Sequence, residues 1–130
     1  MILDTTALID IIRGNSNAVK KLKSATEDGV QVSTTLLTVF ELFSGLAHTQ
    51  KPEKELQRIR NILSTQTKFP LTEATAERAG RIHGLLKLQG RSTEAIDVMI
   101  GTIALERNES VLTRNIEHFS RIPGLKVETY

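Results

Sequence analysis

Strand-like runs in this chain are short, at most about five residues each, and one or two helical stretches separate each from the next. The runs are "MILD" (1–4), "VQVS" (30–33), "TKFPL" (67–71), "ESVLT" (109–113) and "KVETY" (126–130). Short apolar strands alternating with helices indicate an α/β fold whose parallel sheet is covered on both faces. Between them lie "TTALIDIIRG", "SNAVKKLKSATEDG", "TTLLTVFELFSGLAH", "PEKELQRIRNILSTQ", "TEATAERAGRIHGLLKLQG", "STEAIDVMIGTIALERN" and the short "RNIEHFSRI", each read as a helix. Gly14 and Gly29 are read as stops, and Pro52 suits a first helical turn. Pro70 sends the third run to a sheet edge. The stretch holding Asp97 is apolar over most of its circumference, which predicts a buried helix.

A length of 130 residues suits one domain, 1–130, with one core. Apolar residues at 39% and charged residues at 25% are an ordinary globular balance, which argues against disorder. There is no cysteine, so disulfides and thiolate metal sites are excluded and a reducing cytosol is the expected setting. No basic segment leads into an apolar stretch at the N-terminus, so a secretory signal is not expected. No apolar run nears the ~20 residues of a membrane helix. A net charge of +2 tolerates a polyanionic partner without demanding one, and Lys20, Lys21 and Lys23 read equally as a solvated helix face.

Phosphate-loop, dinucleotide-binding and nucleophile-elbow patterns are all absent. His48, His83 and His118 have no metal-binding spacing and read as surface or structural residues, although His48, seven residues after Glu41, falls near the same cleft. The carboxylates carry more information. In open α/β sheets, ligands bind at the carboxyl ends of strands. Asp4 closes the first strand, Glu41 lies about two turns into the helix after the second, Asp97 is in the first turn of its helix, and Asn115 follows the "VLT" strand.

Each has a structural reading as well. Asp4 suits a helix cap, Glu41 closes a capping box with Thr38, and Asp97 suits a helix N-terminus. Yet Glu41 and Asp97 are flanked by large apolar residues, and a buried carboxylate needs a partner or a cation. Three carboxylates on one rim would repel unless a cation neutralised them. Oxygen ligands without cysteine or clustered histidine favour Mg²⁺ or Mn²⁺, which can acidify water and hold phosphate oxygens. That chemistry points to phosphodiester hydrolysis.

"MILDTTALID", "TTLLTVFELFSGL", "STEAIDVMIGTIAL" and "VLTRNIEHFSRIPGLKV" stand in the order and approximate spacing of the PIN domain family. Over nearly its whole length the chain resembles the VapC-like toxins of toxin–antitoxin pairs. The resemblance implies a three-layer α/β/α sandwich with a central, mostly parallel sheet. It implies a Mg²⁺- or Mn²⁺-dependent endoribonuclease of the cytoplasm, usually a homodimer, inhibited by an antitoxin whose tail crosses the active-site groove. Carried onto this sequence, it makes Asp4, Glu41 and Asp97 the metal-holding acidic residues. Asn115 stands where the family often has a fourth acidic residue; being neutral, it is cast as an oxygen donor, and one versus two metals stays open. Glu94 and Glu117 are near enough in sequence to compensate but read first as exposed helix charges. Thr6 and Thr113 match hydroxyl positions that orient the cluster, a role compatible with capping.

Arg13 and Arg114 lie beside these motifs and are candidate RNA phosphate contacts, against a reading as plain surface arginines. Residues 35–66 are the expected self-association surface. Two rival readings are defined by the same residues. A phosphatase with an aspartyl nucleophile would need an aspartate where Thr6 stands. A non-cutting module that holds RNA or an antitoxin is suggested by Asn115.

Overall fold

The computed structural model describes residues 1–130. The strand-like runs become strands of two or three residues: β1 (Ile2–Leu3), β2 (Ser33–Thr35), β3 (Thr67–Phe69), β4 (Ser110–Leu112) and β5 (Lys126–Glu128). They form one sheet in the order β3-β2-β1-β4-β5 with every pairing parallel. The helices are α1 (Thr5–Ile12), α2 (Ser16–Glu27), α3 (Leu36–Gly45), α4 (Pro52–Ser64), α5 (Glu73–Leu88), α6 (Ala95–Glu106) and the single turn α7 (Ile116–Phe119). A 3-10 turn, Leu46–His48, joins α3 to α4. No helix is long and apolar enough to cross a membrane.

Side chains alternate across each strand. Leu3 and Leu112 face one layer, where they meet Ala7 and Leu8 of α1, Ala25 of α2, Leu42 of α3 and Ile59 and Leu63 of α4. Ile2 and Val111 face the other, against Ile100 and Ile103 of α6, Phe119 of α7 and Ile122. α5 packs outside α6 through Ala79, Leu86 and Val98. The expected three-layer α/β/α sandwich is what the chain forms. Each fully buried leucine or isoleucine here contributes about 1.5–3 kcal/mol. α6 is buried as its composition requires, and Gly101 allows the closest approach. A Cβ there would stand 2.4 Å from Ile122 Cδ1 and 3.1 Å from Leu125 Cδ2.

Two local readings need correction. The second strand is not "VQVS" but Ser33–Thr35, and the helix after it starts at Leu36 rather than Thr34. Val30 is consumed by the end of α2: Gly29 takes φ +75°, and the Val30 N–H donates to Ala25 O. That pairing closes a left-handed helix cap, so the strand cannot begin until later. Thr35 then caps α3 by accepting from the Thr38 N–H at 3.1 Å. The cap at Thr35 leaves Thr38 inside the helix, so Glu41 belongs to no capping box.

The strand order places the site. The chain runs β1, β2, β3 to one side, then returns to pair β4 with the other side of β1. The reversal between β1 and β4 is a topological switch point, where the loops leaving the two strands part and open a crevice. α6 leads into β4 and crosses the sheet against the strand direction, so its first turn, with Asp97, reaches the carboxyl ends of β1 and β4.

Candidate active site

Asp4 leaves β1 in extended backbone (φ −77°, ψ 176°) and caps α1, accepting from the Ala7 N–H at 2.8 Å. Its carboxylate is only 3% exposed. Two hydroxyls hold it: Thr6 Oγ1 donates at 2.9 Å to Oδ1, and Thr113 Oγ1 donates at 2.7 Å to Oδ2. Each hydroxyl is oriented in turn by a backbone donor. The Arg114 N–H reaches Thr6 Oγ1 at 3.0 Å, and the Asn115 N–H reaches Thr113 Oγ1 at 2.8 Å. Capping and orienting are therefore one hydrogen-bond chain that ties the loop after β4 to the end of β1.

Glu41 rises from α3 and accepts a hydrogen bond from Thr5 Oγ1. Asp97, in the first turn of α6, lies across from it and meets His118. The Nδ1 of His118 is 2.9 Å from Asp97 Oδ2 and 2.8 Å from the side-chain nitrogen of Asn115. Those two contacts need opposite states of Nδ1. A bare nitrogen accepts from Asn115, and a protonated one donates to ionised Asp97, so only one is made in each state. Asn115 also points its amide at Asp97 Oδ2, 3.5 Å away.

All three carboxylates are harder to ionise than usual, chiefly through burial. Asp4 is pushed up from 3.8 to about 6 by burial, which outweighs its hydrogen bonds to Ala7, Thr113 and Thr6; the charge of Asp97 adds to the rise. Burial also raises Glu41, against the Thr5 hydrogen bond, and Asp97 again adds to the rise. Asp97 itself is raised by burial and by Glu94, while the hydrogen bond and charge of His118 oppose both. Asp97 thus acts on both other carboxylates, each carried by a different element.

The side chains do not form a ready-made cage: no three acidic or histidine side chains stand close enough to ligate one ion. Each carboxylate is instead held on a protein partner: Glu41 on Thr5, Asp4 on Thr6 and Thr113, and Asp97 on His118. The donor set still fits a hard divalent ion. It is all oxygen, it is desolvated, and its raised ionisation would be relieved by positive charge.

The remaining candidates fall as follows. Glu94 is exposed, three residues before Asp97, and is felt there. Glu117 is exposed and paired with Arg121. Arg114 turns its guanidinium to buried Asp10 at 3.1 Å. Arg13, at the end of α1, lines the same cleft as Glu41 and His48, and His83 sits on α5. Two residues were not singled out from the sequence. His118, read there as structural, touches Asp97; its only sequence signal is its place one helical turn after Asn115. Asp10 is a buried carboxylate fixed by Arg114 and by the Tyr130 hydroxyl at 2.7 Å.

The chain is similar to known proteins along nearly its whole length. The family profile described as PIN domain matches residues 1–125. Ribonuclease VapC19 of Mycobacterium tuberculosis is 27% identical over 125 residues, covering 96% of both chains. The tRNA(fMet)-specific endonuclease VapC of Shigella flexneri is 29% identical over 128 residues, covering 98% of this chain and 96% of its own. Among solved structures, VapBC2 from Rickettsia felis, bound to a DNA fragment from its promoter, superposes with a TM-score of 0.88 at 21% identity. It covers 99% of this chain and 97% of its own. DNA-bound VapBC from Salmonella typhimurium gives 0.86 at 25% identity, covering 98% and 96%.

Proposed function

The chain belongs to the PIN domain family, and from that premise we propose that it is a divalent-metal-dependent endoribonuclease, the cytoplasmic toxin of a toxin–antitoxin pair. The observation that carries this reading is that three elements bring desolvated carboxylates, Asp4, Glu41 and Asp97, toward the β1/β4 switch point, near enough for the charge of Asp97 to act on the other two. Relatives named as ribonucleases along nearly the full chain, and neighbours solved as toxin–antitoxin complexes, support the substrate and the antitoxin partner.

In this reading Asp4, Asp97 and Glu41 would hold Mg²⁺ or Mn²⁺. Such an ion supplies charge neutralisation for phosphate oxygens and a lowered pKa for water. Asp4 cannot swing, because Thr6, Thr113 and Ala7 fix both of its oxygens. Half-buried Glu41, whose burial raises its affinity for a proton, would take the proton of the attacking water. The water oxygen forms a bond to phosphorus, the bond from phosphorus to the ribose oxygen breaks, and that oxygen leaves with a proton from solvent. Asn115 and His118 hold Asp97 in place from the other side.

The test is cleavage of a single-stranded RNA by protein freed of antitoxin. Activity should vanish in EDTA, return with Mn²⁺, and be absent in Asp4→Asn with the fold kept. Full activity of Asp4→Asn would remove that residue from the reaction. The second reading, a module that binds without cutting, is favoured by neutral Asn115 and by carboxylates that stand apart. Saturable RNA binding with no turnover in any divalent metal would establish it instead.

A further inference from the structure

Asp4 and Asp10 are the two buried acidic residues of this chain, and the proposed reaction uses only the first. A carboxylate withdrawn from water needs charged or hydrogen-bonding partners. Asp10 has two, both brought from far along the chain. Arg114 Nη1 donates at 3.2 Å to its Oδ1 and at 3.1 Å to its Oδ2, and the Tyr130 hydroxyl donates at 2.7 Å to Oδ2.

Asp10 stands one turn after Thr6 on α1, on the same face of the helix. Arg114 spans that turn. Its backbone N–H donates to Thr6 Oγ1 at 3.0 Å while its guanidinium reaches Asp10. The residues on either side of Arg114, in the loop between β4 and α7, are the ones that meet the carboxylates. Thr113 Oγ1 donates to Asp4 Oδ2 at 2.7 Å, and the Asn115 amide nitrogen is 3.5 Å from Asp97 Oδ2.

The backbone of this loop has few anchors of its own. The Thr113 N–H donates to Glu128 O at 3.0 Å, and the other two N–H groups go to the hydroxyls of Thr6 and Thr113. Those same two hydroxyls hold Asp4. A loop that slid off α1 would therefore draw Thr113 from Asp4 and Asn115 from Asp97 in one movement. Asp10 is itself braced from a third direction, because Tyr130 lies two residues past β5, the strand beside β4.

We propose that Asp10 is a positioning residue for the carboxylate site: through Arg114 it pins the loop between β4 and α7 onto α1, and so keeps Thr113 on Asp4 and Asn115 beside Asp97. The role rests on the ribonuclease reading of the site. The Arg114 side chain is 63% exposed, and a pair with one member in water adds little to stability by itself. Its effect is on direction. The pairing draws the guanidinium toward α1 instead of leaving it free for an RNA phosphate.

The experiment measures RNA cleavage at one fixed Mn²⁺ concentration, and Mn²⁺ affinity by calorimetry, for Asp10→Ala, Asp10→Asn, Arg114→Ala and Asp10→Ala/Arg114→Ala. Circular dichroism at the assay temperature confirms the fold. Asp10→Ala should lower kcat about 10–100-fold and raise the Kd for Mn²⁺ roughly tenfold. KM for RNA should stay within about twofold, because the residue touches no RNA. Asp10→Asn still accepts one N–H and should recover part of kcat. Arg114→Ala should match Asp10→Ala, and the double variant should be no slower than the slower single one, since both break one link. If Asp10→Ala does not fold, Asp10→Asn and the surface change Arg114→Ala carry the same test.

Wild-type kcat and Mn²⁺ affinity in a folded Asp10 variant, with the wild type active, would overturn the positioning role and leave the nuclease standing. Losses that multiply in the double variant would overturn it too, as the two residues would then act separately. So would a raised KM with kcat kept in Arg114→Ala, which would make Arg114 an RNA contact. A wild type that neither binds Mn²⁺ nor cuts RNA would bring down the ribonuclease reading and this role with it.

Discussion

Asp4 caps a helix and faces the site with the same carboxylate, and the two roles pull its ionisation in opposite directions. It ionises at about 6 in the folded chain against 3.8 in the unfolded one. Between those values the folded chain keeps a proton that the unfolded chain has lost, so stability falls as pH rises through this window and stays reduced above it. A gap of this size corresponds to about 3 kcal/mol. In EDTA the melting temperature of the wild type should therefore drop relative to Asp4→Asn between pH 4 and pH 7; parallel curves would contradict the linkage. His118 acts through Asp97. His118→Ala should slow RNA cleavage about 10–100-fold with little change in melting temperature, and His118→Gln should recover part of the loss. Equal cleavage rates in wild type and His118→Ala would remove it from the site. The carboxylates were legible in the sequence because a charge set among Val39, Phe40 and Leu42, or among Ile96 and Val98, demands compensation. His118 was not, because its contact depends on one turn of α7 folding back on α6, 21 residues away. Asp10 was hidden for the same reason, since its partners lie 104 and 120 residues away.

The alternation of short strands with helices carried the layered fold, since no other arrangement covers both faces of so narrow a parallel sheet. Element boundaries were harder to read. Apolar alternation in "VQVS" resembles a strand, yet the cap at Gly29 wins because it satisfies carbonyls at the end of α2 that would otherwise lack donors. The position of Asp97 was likewise obscured by a helix that follows another helix; only the direction of the chain into β4 puts its first turn at the rim. α6 depends on close packing against Ile122 and Leu125 at Gly101. Gly101→Val should lower stability by about 2 kcal/mol or more through overpacking, a fall of roughly 5–10 °C in melting temperature. An unchanged melting curve would contradict the close contact of α6 with Ile122 and Leu125.

The whole molecule has a rim bearing carboxylates, a cleft lined by Lys51, Lys54, Arg58 and Arg13 beside it, and a separate apolar stripe on α3. Leu36, Phe40 and Phe43 are 50%, 63% and 38% exposed at positions that share one helix face. We propose that this stripe, within the expected segment 35–66, joins two copies of the chain, because apolar area of this kind is seldom left in water. Sedimentation should show a dimer for the wild type and a monomer for Phe40→Glu; a monomeric wild type at high concentration would remove the proposal. The central proposal is one cation held by three carboxylates far apart in sequence, and calorimetric titration with Mn²⁺ tests it most directly. The expected result is saturable binding to the wild type that is lost in Asp97→Asn, with both proteins folded. Absence of saturable Mn²⁺ binding to the wild type, or equal binding by the two proteins, would contradict it.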